Sequence, residues 1–414
     1  MTPDNPLPFA DLAPYNWEAA ISARAEAMKY NPWAGRPLPP PPVEPIMLTG
    51  GIPDPGSLPV EDLIECNERV LRREGTFALQ YGGPQGYPGL REWLARDVNR
   101  REGLETGAEH FVIVCGSAGG LENICETYLD PGDVAIIERP SFPGSMRTIM
   151  SCLPEIAGVP VDDDGLDPAA LEQTIARVKS EGKRAKILYT ISNFHNPAAA
   201  TLTLERRKII AELCRREDIL IIQDDAYGAI NFGAGAVPSF YALTGGTGAV
   251  ILGTFSKTLA TGLRVGWVMG EKGVVDALTS MRFDMGVSPW TSRVIAEFCE
   301  SGKFDEHVPR VNELYRRKRD AMVSALDERC PKFGRWSVPQ GGFFMWLEMS
   351  EGVDTRALVE TANEEGVGYV GGRPFFDDRS GNRFIRLCYS NVAEGEIPEA
   401  IMRFGRALER AVAR

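Results

Sequence analysis

Histidine is scarce in this chain. Only three histidines occur in 414 residues, at His110, His195 and His307, far apart in sequence. Hydrolysis by a Ser-His-Asp group and histidine-based metal catalysis both require histidine beside other catalytic or ligating side chains. The sequence offers little for either chemistry, and we predict no metal site.

Closely spaced cysteines and long apolar runs are also missing. The eight cysteines are scattered and form no CxxC pair, so we expect no disulfide framework, which fits a reducing cytoplasm. The first residues are rich in proline and acids rather than in the basic and apolar segments of a secretory signal. No apolar run approaches membrane-spanning length, and we expect a cytoplasmic protein without membrane contact.

Acidic residues outnumber basic ones, with 57 Asp and Glu against 45 Lys and Arg. The formal net charge is −12, whereas binding to a nucleic-acid backbone needs a basic surface. A GxxxxGK[ST] phosphate loop is absent as well. With these classes disfavoured, an enzyme that relies on an organic cofactor becomes the more attractive interpretation.

The order of predicted elements indicates the fold class. From about Val60 onward, short apolar strands alternate with helices, a pattern typical of a mainly parallel sheet covered on both faces. Later the pattern changes to a long charged helix, predicted over Asp305–Asp327, followed by a few strands and a terminal helix. The apolar spacing near the N-terminus predicts a short helix over Trp17–Lys29. We predict an α/β fold with a large domain over residues 60–287 and a smaller α+β domain formed by residues 1–59 and 288–414.

One lysine lies in an unusual neighbourhood. Lys257 stands between Ser256 and Thr258, and Arg264 is the nearest other cation in a stretch that is otherwise apolar or glycine. A lysine kept from bulk water loses its proton more readily, and its amine can then form a Schiff base with an aldehyde. Taken alone, Lys257 has an ordinary surface lysine as its alternative interpretation.

Further polar groups follow the predicted strands. Ser117 lies in a glycine-rich turn before a helix, where backbone N–H groups and the hydroxyl can hold a phosphate. Asn196 precedes a proline and offers an amide donor. Each segment has a plain turn as its alternative.

A pair of acids ends another buried strand. Asp224 and Asp225 follow Leu220–Gln223, and buried carboxylates are costly without a cationic partner such as a protonated ring nitrogen. Tyr227, three residues beyond Asp224, can reach the other side of the same ring. A solvated acidic turn is the alternative.

Together these groups match the parts of pyridoxal 5′-phosphate (PLP). The chain resembles the class I/II aminotransferases of fold type I, in particular the branch with α-aminoadipate, kynurenine and aromatic aminotransferases. That fold implies a mainly parallel, seven-stranded type of sheet sandwiched by helices, with a smaller domain. The motifs that carry the resemblance, in family order, are GGIPDPGSLP (50–59), LQYGGPQGYPGLRE (79–92), GSAGGLE (116–122), NFHNPAAATL (193–202), DDAYG (224–228), TFSKTLATGLRVGW (254–267) and FIRLCYS (384–390).

The resemblance implies a role for each matching residue. Lys257 would be the Schiff-base lysine and the base that moves a proton, and Asp224 would keep the pyridine nitrogen protonated. Asn196 and Tyr227 would hold the phenolate oxygen. The groups implied for the cofactor phosphate are Ser117, Thr254, Ser256, Arg264 and the backbone of Ala118. Arg386 would bind the substrate α-carboxylate, Asn196 would also contact the substrate, and Gly51 would pass close to it, where a side chain would clash.

The resemblance also implies a homodimer with shared active sites, in which Tyr81 reaches the phosphate of the neighbouring subunit. Two positions depart from the family pattern. The residue that stacks on the cofactor, commonly tyrosine, is Phe142, which keeps the stacking but lacks a hydroxyl. Ala118 replaces a frequent polar amide. Structural alternatives are a strand arginine for Arg386 and a packed turn tyrosine for Tyr81.

We therefore expect a PLP-dependent aminotransferase that moves an amino group from an L-amino acid to a 2-oxo acid such as 2-oxoglutarate. A β-lyase, racemase or PLP-dependent oxidase on the same fold is the nearest alternative, and a PLP-binding transcriptional regulator is a remote one. We expect side-chain selectivity to depend on the N-terminal segment and the residues around Trp33 and Arg36. Arg24 is interpreted as a solvated charge rather than a selector of substrate side chains.

Overall fold

The computed structural model describes residues 15–29 and 38–413. Within them, the strands are β1 (Ile46–Met47), β2 (Phe111–Val114), β3 (Val134–Arg139), β4 (Glu155–Asp162), β5 (Gly165–Leu166), β6 (Ala185–Thr190), β7 (Leu220–Asp224), β8 (Ala249–Thr254), β9 (Gly266–Met269), β10 (Gly334–Trp336), β11 (Phe344–Met349), β12 (Val367–Gly368), β13 (Val370–Gly371) and β14 (Phe384–Cys388).

The helices of the same residues alternate with the strands through most of the chain. They are α1 (Ala23–Ala27), α2 (Val60–Glu74), α3 (Pro88–Glu102), α4 (Gly116–Tyr128), α5 (Pro143–Met150), α6 (Pro168–Ser180), α7 (Leu204–Arg216), α8 (Phe240–Thr244), α9 (Lys272–Ser280), α10 (Pro289–Glu300), α11 (Lys303–Arg329), α12 (Leu358–Glu365) and α13 (Ile397–Val412). None of these described helices has the length and apolar content needed to cross a membrane.

The large sheet has the order β2-β9-β8-β7-β6-β3-β4-β5. Strands β4, β3, β6, β7 and β8 run parallel, and β9 is antiparallel to both of its neighbours. The sheet is thus mainly parallel, as predicted. The sheet consists of seven longer strands and an eighth, β5, which has only two residues and pairs antiparallel with β4.

Both faces of this sheet are buried, because alternate residues of its strands enter different hydrophobic clusters. Ala135 and Ile137 of β3 face the cluster that includes α4, α5 and α9, whereas Val134 and Ile136 face the cluster that includes α6 and α7. Strands buried on both faces need this continuous apolar run. The same arrangement leaves the strand ends as the place where polar side chains can gather.

A second, four-stranded antiparallel sheet has the order β10-β11-β14-β13. Its core includes residues of α11, α12 and α13. The N-terminal strand β1 pairs with β12, so the segment that contains β1 joins this second body. Helix α10 packs against α2 and α3 in a cluster on the large sheet. The boundaries 59/60 and 287/288 stay a prediction.

The helix predicted over Trp17–Lys29 is wrong in extent, since only Ala23–Ala27 is helical. Trp17 and Ile21 are exposed, so their helical spacing does not mark a buried face. Trp33 and Arg36, expected to influence selectivity, lie outside the described residues.

Candidate active site

The predicted site residues meet at the carboxyl edge of the large sheet. Strands β3, β6, β7 and β8 are parallel, so all four end at this edge. Open α/β sheets bind their ligands in the crevice beyond such ends. Asp224 is the last residue of β7 and Thr254 the last of β8, while Asn196 lies in the loop that follows β6.

Lys257 lies just beyond β8 and is half-buried. Its Nζ donates to the carbonyl oxygen of Gly51 at 2.9 Å and stands 5.6 Å from the centroid of the Tyr227 ring. Burial lowers the pKa of Lys257 to about 8, and the charge of Asp224 opposes that shift while Arg386 adds to it. A larger fraction of this amine is therefore neutral and nucleophilic near neutral pH than for an exposed lysine.

Asp224 is buried at the tip of β7. Its Oδ2 accepts a hydrogen bond from the hydroxyl of Tyr189 at 2.7 Å, and its Oδ1 accepts from the backbone N–H of Ala226 at 3.1 Å. Burial raises the pKa of Asp224 to about 6, against the effect of these two hydrogen bonds. A carboxylate in this setting is suited to sharing a proton with a basic ring nitrogen.

Arg386 projects from β14 of the second sheet and is only 4% exposed. Its Nη1 donates to Asn196 Oδ1 at 3.0 Å and its Nη2 to the carbonyl of Thr49 at 2.8 Å. The guanidinium lies over Phe344 at 4.3 Å and Phe375 at 5.0 Å. Its buried Nε has no hydrogen-bond partner among the described residues. Such an unsatisfied donor is costly, so the group is suited to an anionic ligand.

Gly51 lies between the lysine and these aromatic rings. A Cβ at this position would lie 2.6 Å from Cζ of Phe344, which makes glycine necessary for the approach of the loop. Tyr227 packs edge-to-face on Phe344, with the ring centroids 5.6 Å apart. Burial raises the pKa of Tyr227, with a smaller opposing effect from Arg386, so its hydroxyl remains a hydrogen-bond donor.

An anion cradle forms where α4 begins. Ser117 and Ala118 are in its first turn, where backbone N–H groups have no acceptor within the helix. Arg264 extends along this turn and donates to Ser256 Oγ at 3.4 Å. Gly116 has a φ of +68°, and a Cβ there would lie 2.8 Å from Arg264 Nη2. These donors can hold a phosphate.

Thr254 contacts Ser256, one of the residues of this cradle. Its hydroxyl lies 2.9 Å from Ser256 Oγ, and the Ser256 backbone N–H donates to Thr254 Oγ1 at 3.1 Å. Its contacts within the chain therefore orient Ser256, and its predicted contact with a phosphate stays a prediction.

Among the described residues, Phe142, Tyr81 and Arg24 make no hydrogen bond, ion pair or ring contact with Lys257, Asp224 or Arg386. Phe142 is half-buried and immediately precedes α5. Tyr81 is 83% exposed, so its side chain has little contact with its own chain. Arg24 pairs with Glu126 at 2.9 Å and Glu122 at 3.5 Å on α4. Arg24 is therefore a partly exposed charge that is paired with two carboxylates.

The structure adds residues that the sequence did not reveal. Tyr189 contacts Asp224, Phe375 covers Arg386, and the Thr49 carbonyl accepts from the same guanidinium. Tyr189 had one available signal: a tyrosine in a strand buried on both faces needs a partner for its hydroxyl. Phe375 ends a three-residue 3-10 turn, Arg373–Phe375, which is too short to show periodicity, and the Thr49 contact is made by its backbone carbonyl.

Comparison with known proteins gives the same class. The family model "Aminotransferase class I and II" matches residues 46–404. Aromatic-amino-acid aminotransferase 1 of Thermococcus litoralis is 35% identical over 366 residues, which cover 88% of this chain and 88% of that protein.

Solved structures of aminotransferases are similar to this chain over nearly its whole length. The multiple substrate aminotransferase of Thermococcus profundus superposes with a TM-score of 0.88 at 30% identity, covering 97% of this chain and 100% of that one. The α-aminoadipate aminotransferase LysN of Thermus thermophilus, complexed with N-(5′-phosphopyridoxyl)-L-leucine, gives a TM-score of 0.87 at 30% identity, covering 96% and 100%.

The chain belongs to the class I and II aminotransferases. Its architecture, a large and mainly parallel sheet between helices with a smaller sheet beside it, is fold type I of the PLP-dependent enzymes.

Proposed function

We propose that this aminotransferase moves the amino group of an aromatic, branched or aminoadipate-like L-amino acid to a 2-oxo acid such as 2-oxoglutarate, with Lys257 as its Schiff-base lysine. The single observation that carries the proposal is the meeting of three buried or half-buried groups at one sheet edge. They are an amine with a lowered pKa, a carboxylate with a raised pKa and a guanidinium whose Nε is unsatisfied.

The cofactor is pyridoxal 5′-phosphate, and the residues present fit it. The donors at the start of α4 suit the phosphate, and the Asp224 carboxylate suits the ring nitrogen. We assign the phosphate to Ser117, the Ala118 N–H, Thr254, Ser256 and Arg264, the phenolate oxygen to Asn196 and Tyr227, and the ring face to Phe142.

When bound, PLP supplies an aldehyde for the amine and a conjugated ring that accepts the electron pair left when a Cα–H bond breaks. The neutral Nζ of Lys257 takes the proton from Cα and later returns a proton. Asp224 holds the ring nitrogen and its proton. Arg386 binds the α-carboxylate through two N–H groups. It serves both half-reactions because amino acid and 2-oxo acid each carry that carboxylate.

We further propose a homodimer that shares its active sites. Phe77, Leu79, Tyr81 and Phe283 form an exposed apolar face, with exposures of 77%, 66%, 83% and 93%. The segments that carry these residues are adjacent, since a Cβ on Gly286 would lie 2.3 Å from the Gly83 carbonyl oxygen. An apolar surface of this kind favours association, and Tyr81 would then reach the phosphate of the other subunit.

A cytoplasmic location is part of the proposal, supported by eight free cysteines. The alternative PLP chemistries, β-elimination, racemisation and oxidation, are not favoured, because the matching family and the relatives named above are aminotransferases. A PLP-binding regulator is not favoured either, because the relatives named above match this chain over 88% or more of their own length and are aminotransferases.

The test of this function is a pair of half-reactions followed by mapping of the labelled lysine. Single additions of L-amino acids to the holoenzyme should convert the cofactor absorbance to that of its amine form. A 2-oxo acid should restore it. Borohydride reduction and peptide mapping should then place the cofactor on Lys257. Failure to cycle with any pair of substrates, or labelling of another residue, would contradict the proposal.

A further inference from the structure

Tyr189 is a fully buried tyrosine whose hydroxyl lies between two side chains of different elements. It is 2.7 Å from Asp224 Oδ2 and 2.8 Å from Ser145 Oγ. A phenol has one hydrogen, and an ionised carboxylate only accepts hydrogen bonds. Tyr189 therefore donates to Asp224, and the Ser145 hydroxyl donates to the Tyr189 oxygen. The three groups form a chain of hydrogen bonds directed at the carboxylate.

The position of Tyr189 follows from strand register. Tyr189 of β6 pairs with Ile222 of the parallel strand β7, and Asp224 stands two residues further along on the same face. Ser145 reaches this face from the first turns of α5. Tyr189 otherwise packs in an apolar cluster, where a phenylalanine would supply the same ring contacts and only the hydroxyl makes the difference.

The hydroxyl acts against the effect of burial on Asp224. Burial raises the pKa of this carboxyl to about 6, and the hydrogen bond from Tyr189 is the largest influence in the opposite direction. A hydrogen bond to the charged form favours that form. Without the hydroxyl, Asp224 would hold a proton more tightly and compete with a basic ring nitrogen for it.

We propose that Tyr189, oriented by Ser145, is a positioning residue that keeps Asp224 ionised, so that the proton shared with the cofactor resides on the pyridine nitrogen. The inference rests on the proposed function, since it assumes that Asp224 faces this nitrogen. It assigns a task to a hydroxyl that does not itself touch the cofactor.

The experiment compares two ligands that differ only at the ring nitrogen. Pyridoxamine 5′-phosphate and its 1-deaza analogue, in which CH replaces the nitrogen, are titrated into cofactor-stripped wild type, Tyr189→Phe and Ser145→Ala. Neither ligand has an aldehyde, so binding does not depend on a bond to Lys257. Tyr241→Phe is the matched control, because that tyrosine is also buried but its hydroxyl lies 3.1 Å from His110 Nδ1.

Tyr189→Phe should weaken pyridoxamine 5′-phosphate about tenfold, the size expected for one hydrogen bond to a charged group. Binding of the deaza analogue should change by less than about twofold. Ser145→Ala should also weaken pyridoxamine 5′-phosphate more than the deaza analogue, but by a smaller factor than Tyr189→Phe. Tyr241→Phe should change the affinity for neither ligand. Equal weakening of both ligands would show a merely structural role and overturn the inference, as would unchanged binding of both.

A direct measurement of the proton completes the test. The nitrogen-15 resonance of ring-labelled pyridoxamine 5′-phosphate should move toward its unprotonated value in Tyr189→Phe and stay in place in Tyr241→Phe. An unmoved resonance in Tyr189→Phe overturns the inference alone. Failure of the wild-type protein to bind pyridoxamine 5′-phosphate would overturn the proposed function, and the inference with it.

Discussion

At the scale of single residues, the site depends on burial that shifts acid and base in opposite directions. Burial disfavours the charged form of any side chain. It lowers the pKa of Lys257 to about 8 and raises that of Asp224 to about 6. The two values approach each other, which prepares one group to exist as a neutral base and the other to share a proton near neutral pH.

The lysine shift leads to a prediction about pH. In cofactor-free protein, competitive acetylation of Lys257 should rise about tenfold per pH unit below pH 8 and level off above it, because only the neutral amine reacts. Peptide mapping after labelling across pH 6–11 measures this. Exposed lysines, whose amines stay in water, should reach half-maximal labelling at higher pH and serve as the internal reference. A Lys257 midpoint near that reference would contradict the prediction.

Much of this residue-scale picture was predictable from sequence, for a physical reason. Lys257 and Asp224 are charged groups in apolar surroundings, where charge needs a partner or a function, whereas Arg386 was implied by the family resemblance. Residues that act on them through a third group, such as Tyr189, or through a backbone carbonyl, such as Thr49, carry no comparable signal. Their roles depend on which strands and loops become neighbours.

At the scale of elements, the alternation of strands and helices was predicted well where the apolar runs were long. The long charged helix predicted over Asp305–Asp327 is present as α11, Lys303–Arg329, and strands and helices alternate from about Val60 onward as predicted. Helix α12 was not predicted, because only strands were expected between the long charged helix and the terminal helix. The helix over Trp17–Lys29 was overpredicted because its apolar residues are exposed rather than packed.

Two elements meet in a contact that sequence reasoning did not reveal. Arg139 at the end of β3 donates two hydrogen bonds of 2.6 Å to Asp377, and Asp378 lies 3.3 Å from the same guanidinium. The Ser141 N–H also donates to the carbonyl of Phe375 at 2.8 Å. These contacts fix the segment that places Phe375 over Arg386.

The ion pair gives a prediction with a matched control. Asp377→Asn should lower the free energy of unfolding by about 1–2 kcal/mol, since it removes a bidentate charge pair whose side chains are only 31% and 14% exposed. Asp378→Asn should cost less than about 0.5 kcal/mol, because that carboxylate is 42% exposed. Urea unfolding measures both values. Similar losses in the two variants would contradict the bidentate assignment.

The Asp377 variant should also act on substrate binding. A loosened Phe375 segment covers Arg386 less well, so we expect KM to rise more than kcat falls. Steady-state kinetics with one amino donor measures this split. A fall in kcat at constant KM would instead place the effect on the chemical step.

At the scale of the whole molecule, the two sheets contribute different halves of the site. The large sheet carries Lys257 and Asp224, and the second sheet carries Arg386. Asn196 links them through its hydrogen bond to the arginine. Sequence predicted the architecture but not this link, since contacts between separate sheets leave no periodic pattern.

Assembly yields a further prediction. Phe283→Asp should convert a dimer into monomers, because it places a charge in the exposed apolar face defined above. Analytical ultracentrifugation measures the change. Ile209→Asp is the control, since Ile209 is also exposed but lies on α7, outside that face. A wild-type monomer, or equal effects of the two variants, would contradict the prediction.

Sharing of the active sites is tested by mixing two inactive or weakened subunits. Tyr81→Phe should weaken binding of PLP about tenfold through loss of one hydrogen bond to a charged phosphate, and Lys257→Ala should abolish amino transfer. A hybrid dimer of the two variants contains one site with an intact lysine and an intact tyrosine from the other subunit. After subunit exchange, a fraction of sites should therefore regain wild-type affinity and activity. If Tyr81 acted within its own chain, no hybrid site would hold both groups, and mixing would restore nothing.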